Sequence, residues 1–398
     1  MSMSGKAGKF ITVFLRKLRK LFVWALAIPA SWMLSRICKV QPNKVIFMTF
    51  NHTYSCNPKY ITRELLRQKL PLDIVWVTKP NQPMQVPEGV RTVVYGTFPY
   101  FKEVITARVW VDNAFGFSWN PFPVRKKDQF YIQTWHGSLG LKRIGTENVK
   151  DKRWTQAARR NAKWVNLCVS NSAFETDVFR QTHWPKNEIL ELGHARNDIL
   201  LAENAGVAHR VRLHFGIDAD KKIALYAPTF RNDDTAACYD LDHSRVLGAL
   251  EERFGGEFVL LNRFHMKTLK AREAQVSDPR ILDATAYPDI QELMVAADVG
   301  ITDYSSWICD FVLTGRAGFL YAPDLEKYDR ERGFYYPLEE TPFPIAQSND
   351  QLIQNILGFD AESYAAKKEG FLAARGCRET GTAAQQIAQI IKKQCGLC

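Results

Sequence analysis

Short apolar runs alternate with longer stretches of helical periodicity over most of this chain, a pattern that predicts strands and helices in succession. Runs at residues 44–49, 73–77, 91–94, 108–111, 130–134, 165–169 and 189–192 read as strands of a parallel sheet covered on both faces. Helical stretches such as 60–68 lie between several of them. A polar, charged helix near 204–213 and a glycine at 216 then introduce a second series, at 222–227, 257–261, 280–282, 298–301 and 318–321. The expected class is therefore α/β, with two Rossmann-like domains at residues 41–203 and 204–375 and a C-terminal helix within 376–398. Two such domains facing each other form a cleft, and doubly wound sheets bind ligands at the carboxyl ends of their strands.

Residues 1–40 depart from this pattern. They hold Lys6, Lys9, Arg16, Lys17, Arg19, Lys20, Arg36 and Lys39 and no acid, so most of the net charge of +11 sits there and the body is nearly neutral. Phe10, Ile11, Phe14, Leu15, Leu18, Leu21 and Phe22 recur at helical spacing between the cations. That arrangement predicts a basic amphipathic helix lying on an anionic membrane surface, with Trp24 and Trp32 at headgroup level. A spanning helix needs about 20 apolar residues, whereas the run 21–34 is shorter and broken by Pro29 and Ser31. A basic tail without a nucleic-acid reader motif gives no reason to expect nucleic acid as a partner. The eight cysteines are scattered without paired CxxC sets, which fits a reducing, cytoplasmic setting.

Candidate chemistry gathers after the strands. The run ending at Ile301 turns through Thr302, Asp303, Tyr304, Ser305 and Ser306 into a helical stretch. Hydroxyls and free N–H groups converge at such a turn, which suits a phosphate oxygen or simply caps the helix. His136 follows the strand at 130–134 and precedes a glycine, so its imidazole projects into the cleft, where it suits general-base work or is simply a hydrogen-bonded structural group. Lys142, just beyond, either holds a phosphate or decorates a helix. Arg231 follows the strand at 222–227, and Arg263 and His265 follow the strand at 257–261. Guanidinium groups there match paired phosphate oxygens. No cluster of Asp, Glu and His has metal-ligand spacing, so no metal site is expected. His52, His183, His209, His214 and His243 read as structural or exposed, and the role of His194 stays open.

These segments together resemble the CDP-glycerol glycerophosphotransferases, the family of teichoic acid primases and polymerases, with relatives in capsule polymer synthesis. The resemblance rests on TDYSS at 302–306, then Asp310, Phe311 and Arg316, then Asp324, Leu325, Glu326, Tyr328, Arg332, Gly333, Phe334 and Tyr335. It extends to YIQTWHGSLGLKRIG at 131–145, GHARNDIL at 193–200, LYAPTFR at 225–231, RFH at 263–265 and NPKY at 57–60. The family pattern HGTPLK is one residue longer here, between His136 and Lys142.

The resemblance implies a GT-B fold and transfer of glycerol phosphate from CDP-glycerol to a hydroxyl of a lipid-linked or saccharide acceptor, with release of CMP. It implies catalytic roles for His136 and His265, and substrate binding by Asn57, Lys142, Arg231, Arg263, Asp303, Ser305 and Ser306. No tightly bound cofactor is expected, although soluble Mg²⁺ can accompany the nucleotide. The expected location is peripheral, on the cytoplasmic face of the plasma membrane. Two alternatives stay open: a ribitol-phosphate or nucleotide-sugar transferase on the same fold, and a noncatalytic membrane or polyanion binder.

Overall fold

Val45, Ile46, Phe47 and Met48 retain almost no exposed surface, as a strand sandwiched between helices requires. They end β1 (Gln41–Met48), an interior strand of a seven-stranded sheet. The computed structural model describes residues 29, 33–82, 84–119, 122, 125–144, 151–229, 240–264 and 278–397. The other strands of this sheet are β2 (Asp73–Thr78), β3 (Val90–Val94), β4 (Ala107–Asp112), β5 (Phe130–Gln133), β6 (Leu167–Ser170) and β7 (Glu188–Glu191). Their order is β3-β2-β1-β4-β5-β6-β7, and every pairing is parallel.

A second parallel sheet comprises β8 (Lys222–Tyr226), β9 (Phe258–Asn262), β10 (Ile281–Asp283), β11 (Val299–Thr302), β12 (Ala317–Tyr321) and β13 (Ile345–Ala346), ordered β10-β9-β8-β11-β12-β13. The sequence pattern anticipates all of these except β13, which is too short to show a period. Strand order reverses between β1 and β4 in the first sheet and between β8 and β11 in the second, and such reversals open a crevice at the strand ends. His136 lies just past β5, beside the first reversal, and the 302–306 turn lies at the second. Gly300 in β11 is required by a close approach: a Cβ there would sit 2.8 Å from the ring of Phe311. The missing side chain lets the helix Trp307–Phe311 press onto the sheet and fixes the turn before it.

Polar contacts join the two layers. Lys59 on the helix Cys56–Arg67 donates to Asp289 at 2.6 Å and to Glu292 at 2.7 Å, and all three side chains are largely buried. The last helix, Ala383–Gln394, crosses back to pack against Cys56–Arg67 and β4. Most of the basic amphipathic segment expected at residues 1–40 lies outside the described residues. Among those described, no helix is long and apolar enough to cross a membrane.

Candidate active site

The chain enters His136 through a strained turn. Trp135 and Leu139 hold positive φ values of 49° and 36°, which cost non-glycine residues about 1–3 kcal/mol each and persist only where neighbours enforce them. Asn57 enforces this one: its Nδ2 donates to the carbonyls of Thr134 and Trp135, at 2.9 and 3.1 Å. The Trp135 N–H in turn donates to Gln133 Oε1 at 2.9 Å. The imidazole of His136 is thereby aimed back at β4, where its Nδ1 lies 2.6 Å from the carbonyl of Asn113. A carbonyl only accepts, so Nδ1 carries the proton and Nε2 keeps its lone pair. Protein atoms crowding the ring disfavour the imidazolium and lower its pKa to about 4, against the pull of the Asn113 carbonyl; Arg196 and Lys142 push the same way as the crowding. The residue is still open to solvent, which tempers the shift without reversing it.

The Asn113 carbonyl is itself held from below. Asp112, buried at the end of β4, accepts from Tyr131 Oη at 2.8 Å, Gln133 Nε2 at 3.0 Å and the Ala114 N–H at 2.8 Å. Next to His136, at the β1/β4 reversal, opens a cavity of about 380 Å³ walled mainly by Phe50, His52, Tyr95, Trp119, Trp135 and Trp154. His52, read from the sequence as structural or exposed, lines this cavity. His194 is fully buried, with Nε2 2.9 Å from Glu175, in keeping with a structural role.

On the second sheet, Ser305 and Ser306 are half-buried at the reversal, and the Ser306 side chain makes no capping hydrogen bond. The structure recasts four of the candidates expected to touch substrate. The Asp303 carboxylate accepts from the N–H groups of Thr229 and Tyr304, so it pins two loops together and faces a phosphate with the wrong charge for a ligand. Arg263 spends Nη1 on the carbonyls of Ala284 and Tyr287. Asn57 is fully buried and serves the backbone, as described above. Lys142 sits in an extended ribbon, not on a helix. Arg231 and His265 lie outside the described residues.

Sequence reasoning sets Arg196, Asn197 and Asp198 of the GHARNDIL stretch on the hinge side of the cleft but misses the partners through which they tie these parts together. Arg196, buried, donates through Nη2 to the carbonyl of Gly137 at 2.6 Å and through Nε to Asp310 at 2.9 Å. One guanidinium thus joins the residue after His136 to the helix that follows Ser306. Burial works against its charge, but Asp310 more than offsets that and holds its pKa above the ordinary value. Asn197 donates to Asp310 at 2.9 Å and to Glu379 at 2.7 Å, extending the network to the C-terminal segment. Beyond Gly140, residues 141–143 pair antiparallel with 333–335: Arg143 N–H donates to Gly333, Tyr335 N–H to Leu141, and Tyr336 Oη to Leu139. Two family motifs far apart in sequence meet in that ribbon.

The profile of the family described as CDP-Glycerol:Poly(glycerophosphate) glycerophosphotransferase matches residues 30–393. The chain belongs to this family. It is 31% identical over 375 residues to a teichoic acid poly(glycerol phosphate) polymerase of Staphylococcus epidermidis, covering 89% of this chain and 51% of that one. It is 30% identical over 372 residues to a teichoic acid glycerol-phosphate transferase of Staphylococcus aureus, covering 88% of this chain and 94% of that one. The chain thus spans about half the length of two of the polymerases it matches, those of Staphylococcus epidermidis and Bacillus subtilis. A structure of the wall teichoic acid polymerase TagF superposes with a TM-score of 0.81 at 28% identity, over 96% of this chain and 98% of that chain. The site of this glycerophosphotransferase-family chain therefore has its two candidate walls at two sheet reversals, joined by Arg196.

Proposed function

We propose that the chain transfers glycerol phosphate from CDP-glycerol to an acceptor hydroxyl and releases CMP, in the synthesis of a teichoic-acid-like or capsular polymer, on a GT-B architecture with its lobes facing across a cleft. The observation that carries this reading is Arg196, which ties the His136 loop to the Ser305–Ser306 helix. Nε2 of His136 takes the acceptor's proton as its oxygen attacks the β-phosphorus; the bond from that phosphorus to the bridging oxygen breaks, and CMP leaves with the electron pair. Such transfers run through a loose transition state in which positioning and charge stabilisation carry most of the rate. Ser305 and Ser306 grip the pyrophosphate, while Arg231 and His265 offset charge on the leaving CMP. Four relatives named for glycerol are 30–31% identical, against 24–25% for three named for ribitol; a glycerol-phosphate primase also stands at 24%, and the balance favours glycerol as the polyol. A TagF structure was also obtained after a CDPG soak.

CMP release with CDP-glycerol and with CDP-ribitol tests the donor: preference for ribitol would overturn the assignment. Ser305→Ala/Ser306→Ala is expected to weaken CDP-glycerol binding about tenfold or more, since hydrogen bonds to charged groups are worth about 1.5–3 kcal/mol. Unaltered affinity by calorimetry would remove both hydroxyls from the donor site. We also propose that no tightly held metal takes part. No group of three or more potential ligands is assembled among the described residues, and activity is expected to survive exhaustive chelation followed by dialysis.

The acceptor reaches the site by lying in the membrane, where the basic segment holds the enzyme. Removing residues 1–40 is expected to release the protein from anionic vesicles while it still uses a soluble acceptor. Pelleting with vesicles after truncation would show that the attachment lies elsewhere.

A further inference from the structure

The three residues that follow His136 are each held by a different part of the chain. Arg196 donates to the carbonyl of Gly137 at 2.6 Å, and Tyr336 Oη donates to the carbonyl of Leu139. Ser138, between them, is held through its side chain: Oγ accepts from Nδ2 of Asn171 at 2.8 Å. Ser138 and Asn171 keep 1% and 0% of their surface exposed, so neither reaches a ligand in the cleft, and whatever they do is done through the loop. Leu139, the next residue, is one of the strained positions, with a φ of 36°. Such a conformation relaxes unless its neighbours hold it.

Asn171 follows β6, and each of its polar atoms is engaged. Its N–H donates to Glu175 at 2.9 Å, its carbonyl accepts from the Arg378 N–H at 2.7 Å, and Oδ1 accepts from the Ser172 hydroxyl at 3.2 Å. Nδ2 has a second acceptor in Glu379, at 3.0 Å. Glu379 decides which way the amide faces. It also accepts from the Asn197 amide at 2.7 Å and from the His194 N–H at 3.1 Å, and a group so ringed by donors turns the nitrogen of Asn171, not its oxygen, to that side. The other hydrogen of that nitrogen then falls on Ser138. The stretch 375–379 that supplies Glu379 is docked along 171–174, where Ala173 N–H donates to the Gly376 carbonyl at 3.2 Å and Phe174 N–H to the Arg375 carbonyl at 3.1 Å. A Cβ on Gly376 would lie 2.9 Å from that of Ala173, so this close approach requires glycine.

We propose that Asn171, oriented by Glu379 of the C-terminal stretch, is a positioning residue for the base: through Ser138 it keeps the loop that carries His136 in register. The inference rests on the transfer reaction and the role of His136 proposed above, and adds the part of the chain that sets where the base stands. Arg196 ties the loop to the helix after Ser306, whereas Asn171 ties it to residues more than two hundred positions further along the chain.

The test is a double-substitution cycle in the full-length protein, following CMP release from CDP-glycerol at a temperature where circular dichroism shows the variants folded. Ser138→Ala is expected to lower kcat about tenfold or more, since a displacement of roughly 1 Å can cost a hundredfold. KM for CDP-glycerol is expected to stay within about twofold of the parent, because the donor wall is untouched. Asn171→Ala is expected to lose at least as much turnover, and the double variant to be no slower than Asn171→Ala alone, because both changes remove one link. If Asn171→Ala does not fold, the split between kcat and KM in Ser138→Ala settles the matter by itself. An unchanged kcat in Ser138→Ala, losses that multiply in the double variant, or a loss confined to the thermal transition overturns the positioning role. A parent protein that neither binds nor turns over CDP-glycerol overturns the transfer reading, and this inference with it. A parent that turns over while Ser138→Ala keeps its rate overturns the positioning alone.

Discussion

Replacing His136 with alanine is expected to slow CMP release about a hundred- to ten-thousandfold, the usual contribution of a positioned general base, while CDP-glycerol binds almost as before. The split follows from geometry. The donor's pyrophosphate is assigned to the second sheet, whereas among the described residues the His136 ring bonds to Asn113 and packs on Phe50 and Trp135, all at first-sheet strand ends. Because the ring's pKa is lowered to about 4, the base is already neutral at pH 7. kcat/KM is therefore expected to stay level as pH falls from 8 through 6.5, and to drop as the ring protonates between its ordinary value and about 4, because solvent access tempers the shift. A pH profile with single-turnover rates and calorimetric donor affinity checks both parts. A His136→Ala enzyme within a few-fold of the parent rate would end the general-base assignment, and an acid limb near 6.5 would show an unperturbed ring.

Arg196→Met is expected to be about as damaging, for a different reason. The change leaves the Asp310 carboxylate buried with only amide donors, and breaking a buried ion pair by removing one partner costs about 3–5 kcal/mol. It also frees the Gly137 carbonyl from its donor, so the turn holding His136 loses a brace. Both the thermal transition and kcat should fall, with kcat falling even at temperatures where the protein is fully folded. Arg196→Met/Asp310→Leu should recover part of the stability, because removing both charges leaves no unpaired ion, but should not recover kcat. If the double substitution restores turnover as well, the pair serves stability only and the link between the two motifs has no catalytic meaning.

The interior strand runs were legible because they are short, continuous apolar stretches such as β1 and β9, while the edge strands β3, β7 and β10 are more exposed; the strand ends then located His136, Ser305 and Ser306. What those ends do was less legible. Asn57, Arg263 and Asp303 sit where a ligand-binding residue would sit, yet Asn57, Nη1 of Arg263 and the Asp303 carboxylate all hydrogen-bond to backbone groups. A polar side chain after a strand has the same signature in sequence whether it turns toward a ligand or toward the chain. Pairings such as Arg196 with Asp310, more than a hundred residues apart, leave no periodic trace. The aromatic cavity was hidden because its rings come from separate loops, none of which looks unusual alone.

The ribbon between residues 141–143 and 333–335 has a kinetic corollary. If the two halves of the molecule swing apart to admit nucleotide, the segment following His136 either tears loose from its partner or travels with it. In the second case the base leaves register with the first sheet until the halves come together again. Water arriving at an ajar enzyme then meets no aligned base, and the activated donor is spared from wasteful hydrolysis until an acceptor has its turn.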